Sequence, residues 1–366
     1  MMQKCAIIIA ALLGVACVAM FFILKAPPRH DVAESSEPHF KIAQLDTVRL
    51  GKISPYKSGI VAGNASGELR FFTETETGIE TQIFPLSKYE ISAPVLCAEN
   101  GLCYVGDANG MFWAFDPITG TTKWSYKTYN QITGQAVYCN NMVFVGSHDC
   151  DFYAFNSETG YLIFNVECGA QINASPVVSE RLNAAFFGNC DGFLRKIDIC
   201  KYLSESVVDT LDMESPIPEN IAVYNDMLYV LAHQGSLAAV DCETFEITYR
   251  VKTPNEYLSA PYATESFLFL TDATGKIHAH SRGDGSRLAT LPTTEKMTPL
   301  QAGDDDRVYA VSQRGKLFAW RRENDQWHET LLADLQTDCL QGCVLVDKRL
   351  FVADETGGLF YVEVSP

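Results

Sequence analysis

Short apolar runs alternate with turns rich in Gly, Asn, Asp and Pro along nearly all of this 366-residue chain, and the pattern returns about every 40 residues. Its clearest copy is YVGDANGMFWAFD, Tyr104 to Asp116, followed by Thr119-Gly120 and Trp124. The next is FVGSHDCDFYAFN, Phe144 to Asn156, followed by Thr159-Gly160 and Phe164. With Gly106 as anchor, equivalent positions fall at Gly63, Gly146, Gly188, Leu231, Thr271, Val311 and Ala353, spaced 40 to 43 residues apart. In the second repeat the pattern predicts strands at Pro94–Ala98, Leu102–Gly106, Met111–Asp116 and Thr121–Lys127. These runs are β-branched or aromatic, with Asn100-Gly101, Asp107–Gly110 and Pro117–Gly120 as turns between them. Asn100-Gly101 reads as a two-residue hairpin turn with both residues at positive φ.

A four-stranded sheet cannot bury both faces alone, so a chain of such units closes into a ring: an all-β propeller. The last repeat has a first strand near Gln341–Asp347 and two more within Arg349–Val364, but no fourth. His39–Leu50 reads as a strand ahead of Pro55, where the first full blade begins. Letting that N-terminal strand complete the last blade gives eight blades and removes two exposed edges. Seven blades with an unpaired tail is the alternative.

The segment AFDPITGTTKW, Ala114 to Trp124, resembles the Trp-docking motif of the pyrroloquinoline-quinone-like propeller repeats. That resemblance implies that Asp116, Thr119, Gly120 and Trp124, and likewise Thr159, Gly160 and Phe164, lock one blade to the next. NASPVV (Asn173 to Val178) and SAPVLC (Ser92 to Cys97) resemble the innermost strand of the same repeats. The third repeat is similar to repeats in the C-terminal propeller of the β-alanine-activating enzyme, an acyl-CoA-synthetase relative. An eight-bladed relative also serves as the lipoprotein of the bacterial barrel-assembly machine. The resemblance spans roughly residues 39 to 366 and speaks to fold far more than to function.

The N-terminus changes the picture. Cys5 to Leu24 is 20 residues without a charge, the length of a membrane-spanning helix. The expected organisation is a transmembrane or signal-anchor segment over 1–25, a Pro/Ser/Glu linker over 26–38 and the propeller over 39–366. A cleaved signal or lipidation at Cys17 remains open. The propeller is expected outside the cytosol, luminal or extracytoplasmic, and secreted if the segment is cleaved. Net charge is −17, and since Lys4 and Lys25 are the only charged residues in the first 25, the remainder carries −19. Such a surface repels phosphate backbones, which argues against nucleic acid, and favours solubility and basic partners.

Twelve cysteines are present, ten of them in the propeller. Most occupy apolar strand positions, where free thiols pack as small core residues. A two-residue turn at Asn100-Gly101 would point Cys97 away from Cys103. Asn64-Ala65-Ser66, on a turn, is a possible N-glycosylation site, whereas Pro176 disfavours Asn173-Ala174-Ser175.

Candidate chemistry is sparse. The quinone enzymes of this superfamily hold their cofactor with adjacent cysteines and a Trp platform. This chain has no Cys-Cys pair, and Trp113, Trp124, Trp320 and Trp327 fall on outer strands. His278 and His280 share one strand face but lack further ligands and read as solvated. Asp304–Asp306 reads as a solvated turn. The expected function is a membrane-tethered, non-catalytic interaction module with a protein or peptide partner, no metal and no cofactor. A ligand-sensing domain, or an enzyme with an unrecognised site in the channel, are the alternatives. Candidate contact residues lie in the turns after each second strand: Asp107, Asn109, His148, Asp149, Asn189, Asp191, His233 and Gln234.

Overall fold

In a computed structural model the described residues are 48–75, 78–199, 208–218, 221–257, 259–339 and 341–364, all within the unit His39–Pro366. They form an eight-bladed β-propeller. Seven sheets have four strands in sequence order, and the eighth has three, Cys343–Val346, Arg349–Ala353 and Leu359–Glu363. Every neighbouring pair within a sheet is antiparallel. The described residues hold no α-helix; a 3-10 turn lies at His233–Gly235, and no helix among them is long and apolar enough to cross a membrane. The segments 1–25 and 26–38, and most of the predicted N-terminal strand, lie outside the described residues.

Blade 2 shows how local sequence sets each sheet. Its strands are Leu96–Cys97, Cys103–Gly106, Met111–Asp116 and Thr121–Lys127. The third and fourth match the predicted bounds, while the first is shorter than the predicted Pro94–Ala98; first strands of neighbouring blades touch at the centre of the ring. All eight anchor positions fall in the second strand of their blade, seven of them as its last residue. At Gly106 the reason is steric: a Cβ there would lie 2.2 Å from Cγ2 of Ile132, in the loop leading to the next blade. Gly63, Gly146 and Gly188 meet Ile91, Ile172 and Ile217 in the same way.

The blade 2 hairpin departs from the predicted turn. Only Gly101 takes a positive φ, +83°. Gly101 N–H donates to Ala98 O and Ala98 N–H to Leu102 O, so the loop is a turn followed by one left-handed glycine. Asn100 acts through its side chain, its Oδ1 accepting from Leu102 N–H and its Nδ2 donating to Tyr104 Oη. This slips the register by one residue, and Cys97 therefore faces Cys103 across the hairpin.

One junction repeats around the ring. The N–H two residues past each anchor donates to a carbonyl in the loop from the preceding blade: Ala108 to Glu90, His148 to Gln131, Cys190 to Gln171, His233 to Pro216, Ala273 to Glu256, Gln313 to Lys296 and Glu355 to Asp338. At blade 1 the donor is Ala65 and the acceptor is Arg49 O, 3.1 Å away. Leu50 bridges Asn64 as Tyr257 bridges Asp272 and Met297 bridges Ser312. It is buried with Val346, Phe351, Ala353 and Leu359 of blade 8 and Ile60, Ala62 and Phe72 of blade 1. Arg349 of blade 8 pairs with Glu74 of blade 1. Blades 8 and 1 are thus packed together, with residues 48–51 seated as a blade-to-blade loop.

Candidate interaction face

Turns after the second strand and loops from fourth strand to next blade share one face of the ring. The candidate contact residues in these turns make mostly internal bonds. Asp107 and Asn189 are fully buried. Asp107 Oδ1 accepts from Asn109 and Met111 N–H at 2.9 and 2.8 Å, and its Oδ2 from Ser87 Oγ at 2.5 Å. Asn189 takes Arg195 Nη1 at 3.0 Å and donates to Ala170 O at 3.1 Å. They close the turn and offer nothing to a partner. Asp149 accepts from Tyr129 N–H, Asp151 N–H and Tyr153 Oη. Asp191 accepts from Phe193 N–H, Gly169 N–H and both terminal nitrogens of Arg195. Asn109 is half-buried and His233 exposed; Gln234 lies in the same 3-10 turn as His233.

His148 is also held from within. Gln131 Nε2 donates to its Nδ1 at 3.0 Å, so its Nε2–H donates to Thr133 Oγ1 at 2.9 Å. Burial lowers its pKa, with Asp149 pulling the other way. Burial raises the Asp191 pKa, but Arg195, Phe193 N–H and Asn189 outweigh it and bring the carboxyl to about 2. A depressed carboxylate stabilises the fold above its unfolded pKa near 4 and loses that contribution as pH falls toward 2. Asp191→Asn should therefore cost about 2 kcal/mol at pH 7, with the gap from wild type closing between pH 4 and pH 2 in urea titrations.

A similar clasp on a third-strand side chain recurs with Glu68, at the start of the same strand, on Arg70 and with the turn residue Asp272 on His278. His278 and His280 are accordingly buried, contrary to the expected solvated face. His278 Nε2 lies 2.8 Å from Asp272 Oδ2 and its Nδ1 2.9 Å from Thr290 Oγ1, while His280 meets Gly285 O and Tyr257 Oη. Burial opposes ionisation of Asp272, but His278, Thr274, Lys276 N–H and Asn255 hold its pKa far below the usual range. A polar groove of about 500 Å³ opens here between blades 5 and 6, lined by Asn255, Glu256, Lys276 and Arg287 among others. Thr290–His278–Asp272 has the connectivity of a nucleophile, base and orienting acid. However, Asp272 Oδ1 also caps its own turn through Thr274 and Lys276 N–H, as Asp107 and Asp354 do in theirs. The sequence showed the period-two histidines but not which face they occupy.

Asn64 is fully buried: its Oδ1 accepts from Ser66 and Glu68 N–H, and its Nδ2 donates to Glu68 Oε2. An amide so placed cannot carry a glycan in the folded blade. Asp304 caps its own turn, and Asp305 accepts from Ser266 N–H in blade 6. Among the described residues, no group of three or more His, Cys, Asp or Glu could hold a metal.

The residues of the docking motif sit between blades. Trp124, in the fourth strand of blade 2, donates Nε1–H to Ser157 O of blade 3 at 2.8 Å, and its ring lies over Gly160. Phe84 of blade 1 covers Gly120 of blade 2 likewise. Gly120 and Gly160 take φ of +69° and +71°, and their turns are capped by Asp116 and Asn156 through the N–H groups of Thr119 and Thr159. Phe164, paired with Ala154 as Trp124 is with Ala114, packs against the blade 3–blade 4 core.

Two large aromatic side chains are open to solvent on this face, among exposed polar residues such as Lys88, Glu90, Asn130 and His233. Tyr129 is 90% exposed and Tyr89 50% exposed, at successive blade junctions.

An eight-bladed ring sealed by repeated Trp- or Phe-on-Gly docking defines the class, a propeller of PQQ-like repeats. The chain belongs to the family described as "Outer membrane protein assembly factor BamB", which it matches over residues 114–199 and 203–365. It is 25% identical over 235 residues to the beta-alanine-activating enzyme of Drosophila melanogaster, covering 59% of this chain and 22% of that protein. It is 22% identical over 273 residues to BamB of Nitrosomonas eutropha, covering 74% of this chain and 57% of that protein. The chain therefore spans less than two thirds of either relative. Among solved structures, BamB from Moraxella catarrhalis superposes with a TM-score of 0.71 at 16% identity, over 88% of this chain and 98% of that one. Sqt1 of Saccharomyces cerevisiae gives 0.73 at 11% identity, over 88% and 97%. At such identities the structures share the fold.

Proposed function

We propose that this chain is a non-catalytic scaffold that binds another protein through the face carrying Tyr89 and Tyr129, and that Cys5–Leu24 tethers it to a membrane. The observation that carries this reading is the contrast on that face. The carboxylates of Asp107, Asp149 and Asp191 are spent on internal bonds, while two tyrosines, a residue type enriched in binding hot spots, present exposed rings at neighbouring junctions. Net charge of −17 favours a partner with a basic contact surface. Membership of a family named for a protein-assembly factor supports a protein as the ligand. The tether would place the ring on the luminal or extracytoplasmic side.

Residues 39–47 belong to the same proposal, as the fourth strand of blade 8. The support is the set of junction contacts that 48–51 make in register with seven other loops.

Photo-crosslinkers placed at positions 89 and 129 of the membrane-extracted full chain test the binding face. They should capture one protein reproducibly, and a crosslinker at Ile118, 81% exposed in a turn on the opposite face, should not. Tyr89→Ala/Tyr129→Ala should abolish co-purification of that protein with unchanged melting temperature. Equal capture from both faces would refute the assignment. The groove between blades 5 and 6 favours a second reading, a ligand-sensing or catalytic site. Ester turnover abolished by Thr290→Ala would promote that reading over the scaffold.

A further inference from the structure

We infer that Cys97 and Cys103 form a dithiol–disulfide site, a built position for covalent modification by a low-molecular-weight disulfide such as oxidised glutathione. Their Sγ atoms lie 2.9 Å apart as cross-strand partners in the blade 2 hairpin. The ladder hydrogen bond falls on Ala98 and Leu102, so the adjacent Cys97–Cys103 pair is a non-hydrogen-bonded one. In such pairs the Cα atoms approach to about 4.5 Å, within the span a disulfide bridges. No strand must move to join them.

The two thiols differ in access. Cys103 is 1% exposed, packed with Val61, Phe71, Val105 and Phe115 between blades 1 and 2, whereas Cys97 is half-buried at the edge of that cluster. The hydrogen bond from Cys97 and burial together raise the Cys103 pKa, so the resting pair keeps its proton there. The order of events follows. Cys97, as thiolate, attacks one sulfur of the small disulfide, forming a mixed disulfide and expelling one thiolate, which takes up the proton that Cys97 lost. Cys103 passes its proton to solvent and attacks the Cys97 sulfur. The second thiolate of the reagent leaves and is protonated. Two protein thiols and one small disulfide become one protein disulfide and two small thiols, with no other oxidant. The product staples the innermost two strands of blade 2 beside the channel.

The test uses the folded full chain, incubated with oxidised glutathione, then denatured in excess alkylating agent and digested with trypsin. The peptide 89–123 contains these two cysteines and no others. It should lose both alkyl labels and weigh two hydrogens less than the dithiol form, and reduction should restore both labels. In Cys103→Ser, glutathione should remain on Cys97. In Cys97→Ser, Cys103 should stay unmodified in the native state. A doubly alkylated wild-type peptide, or a glutathione adduct on Cys97 that never resolves in wild type, would overturn the inference. The wild-type result stands alone should either variant fail to fold.

Discussion

Trp124→Ala will lower the stability of the propeller by about 3–5 kcal/mol, the range for deleting a buried large aromatic side chain. The residue has two attachments to the next blade. Its indole N–H donates to Ser157 O, and its ring fills the space over Gly160, where even a Cβ would come within 2.6 Å. It also contacts Tyr104, Phe112 and Phe155, so its removal opens a cavity shared by blades 2 and 3. Ser157 O would keep only the Tyr104 Oη hydrogen bond. Trp124→Phe should recover most of the packing but not the hydrogen bond, and so fall between the two. Urea unfolding of the three proteins checks the order, and an alanine variant within about 1 kcal/mol of wild type would show that blades 2 and 3 are held by something else.

The second large effect concerns the closing junction. Deleting residues 39–50 should destabilise the ring by at least about 5 kcal/mol. It removes Leu50, whose full burial alone contributes about 2–3 kcal/mol, and, if residues 39–47 form the proposed fourth strand, it leaves the Leu359–Glu363 strand as an open edge. The Ala65 N–H to Arg49 O bond and the Gln341 Nε2 bond to Leu50 O go with it. Thermal unfolding should move down by at least about 7 °C, and the truncated protein should self-associate through the freed edge.

The ring was legible in the sequence because every blade solves one burial problem with one pattern, so the anchors survive even where Gly gives way to Leu231, Thr271 or Val311. Finer facts were hidden wherever one residue of register decides them. Counting Asn100-Gly101 as a two-residue turn placed Cys97 and Cys103 on opposite sides, but a single left-handed Gly101 brings them together. Period-two spacing put His278 and His280 on one face and could not say that this face is buried. Asp107, Asn189 and Asn64 look like loop polar residues in sequence, yet their partners sit in the same turn, on the next strand or in a neighbouring blade. The exposed Tyr89 and Tyr129 carry no motif, and only their exposure together on one face distinguishes them from a tyrosine such as Tyr161, exposed on the other.

The register at the closing blade can be tested directly. In blades 2 to 5 and 7, the residue five past the anchor pairs with the one five before the loop residue equivalent to Leu50 (Ile132 after blade 2, Tyr257 after blade 5), as Met111 does with Lys127 and Ser236 with Lys252. Applied to Ala353 and Leu50, that rule sets Phe360 opposite Ala43. Ala43→Cys/Phe360→Cys in the full chain should form a disulfide under mild oxidation, seen as a compact, faster-migrating monomer on non-reducing gels. Failure to cross-link, while the equivalent blade 2 pair Trp113→Cys/Ser125→Cys does so, would mean that the ring is not sealed by its own N-terminal residues.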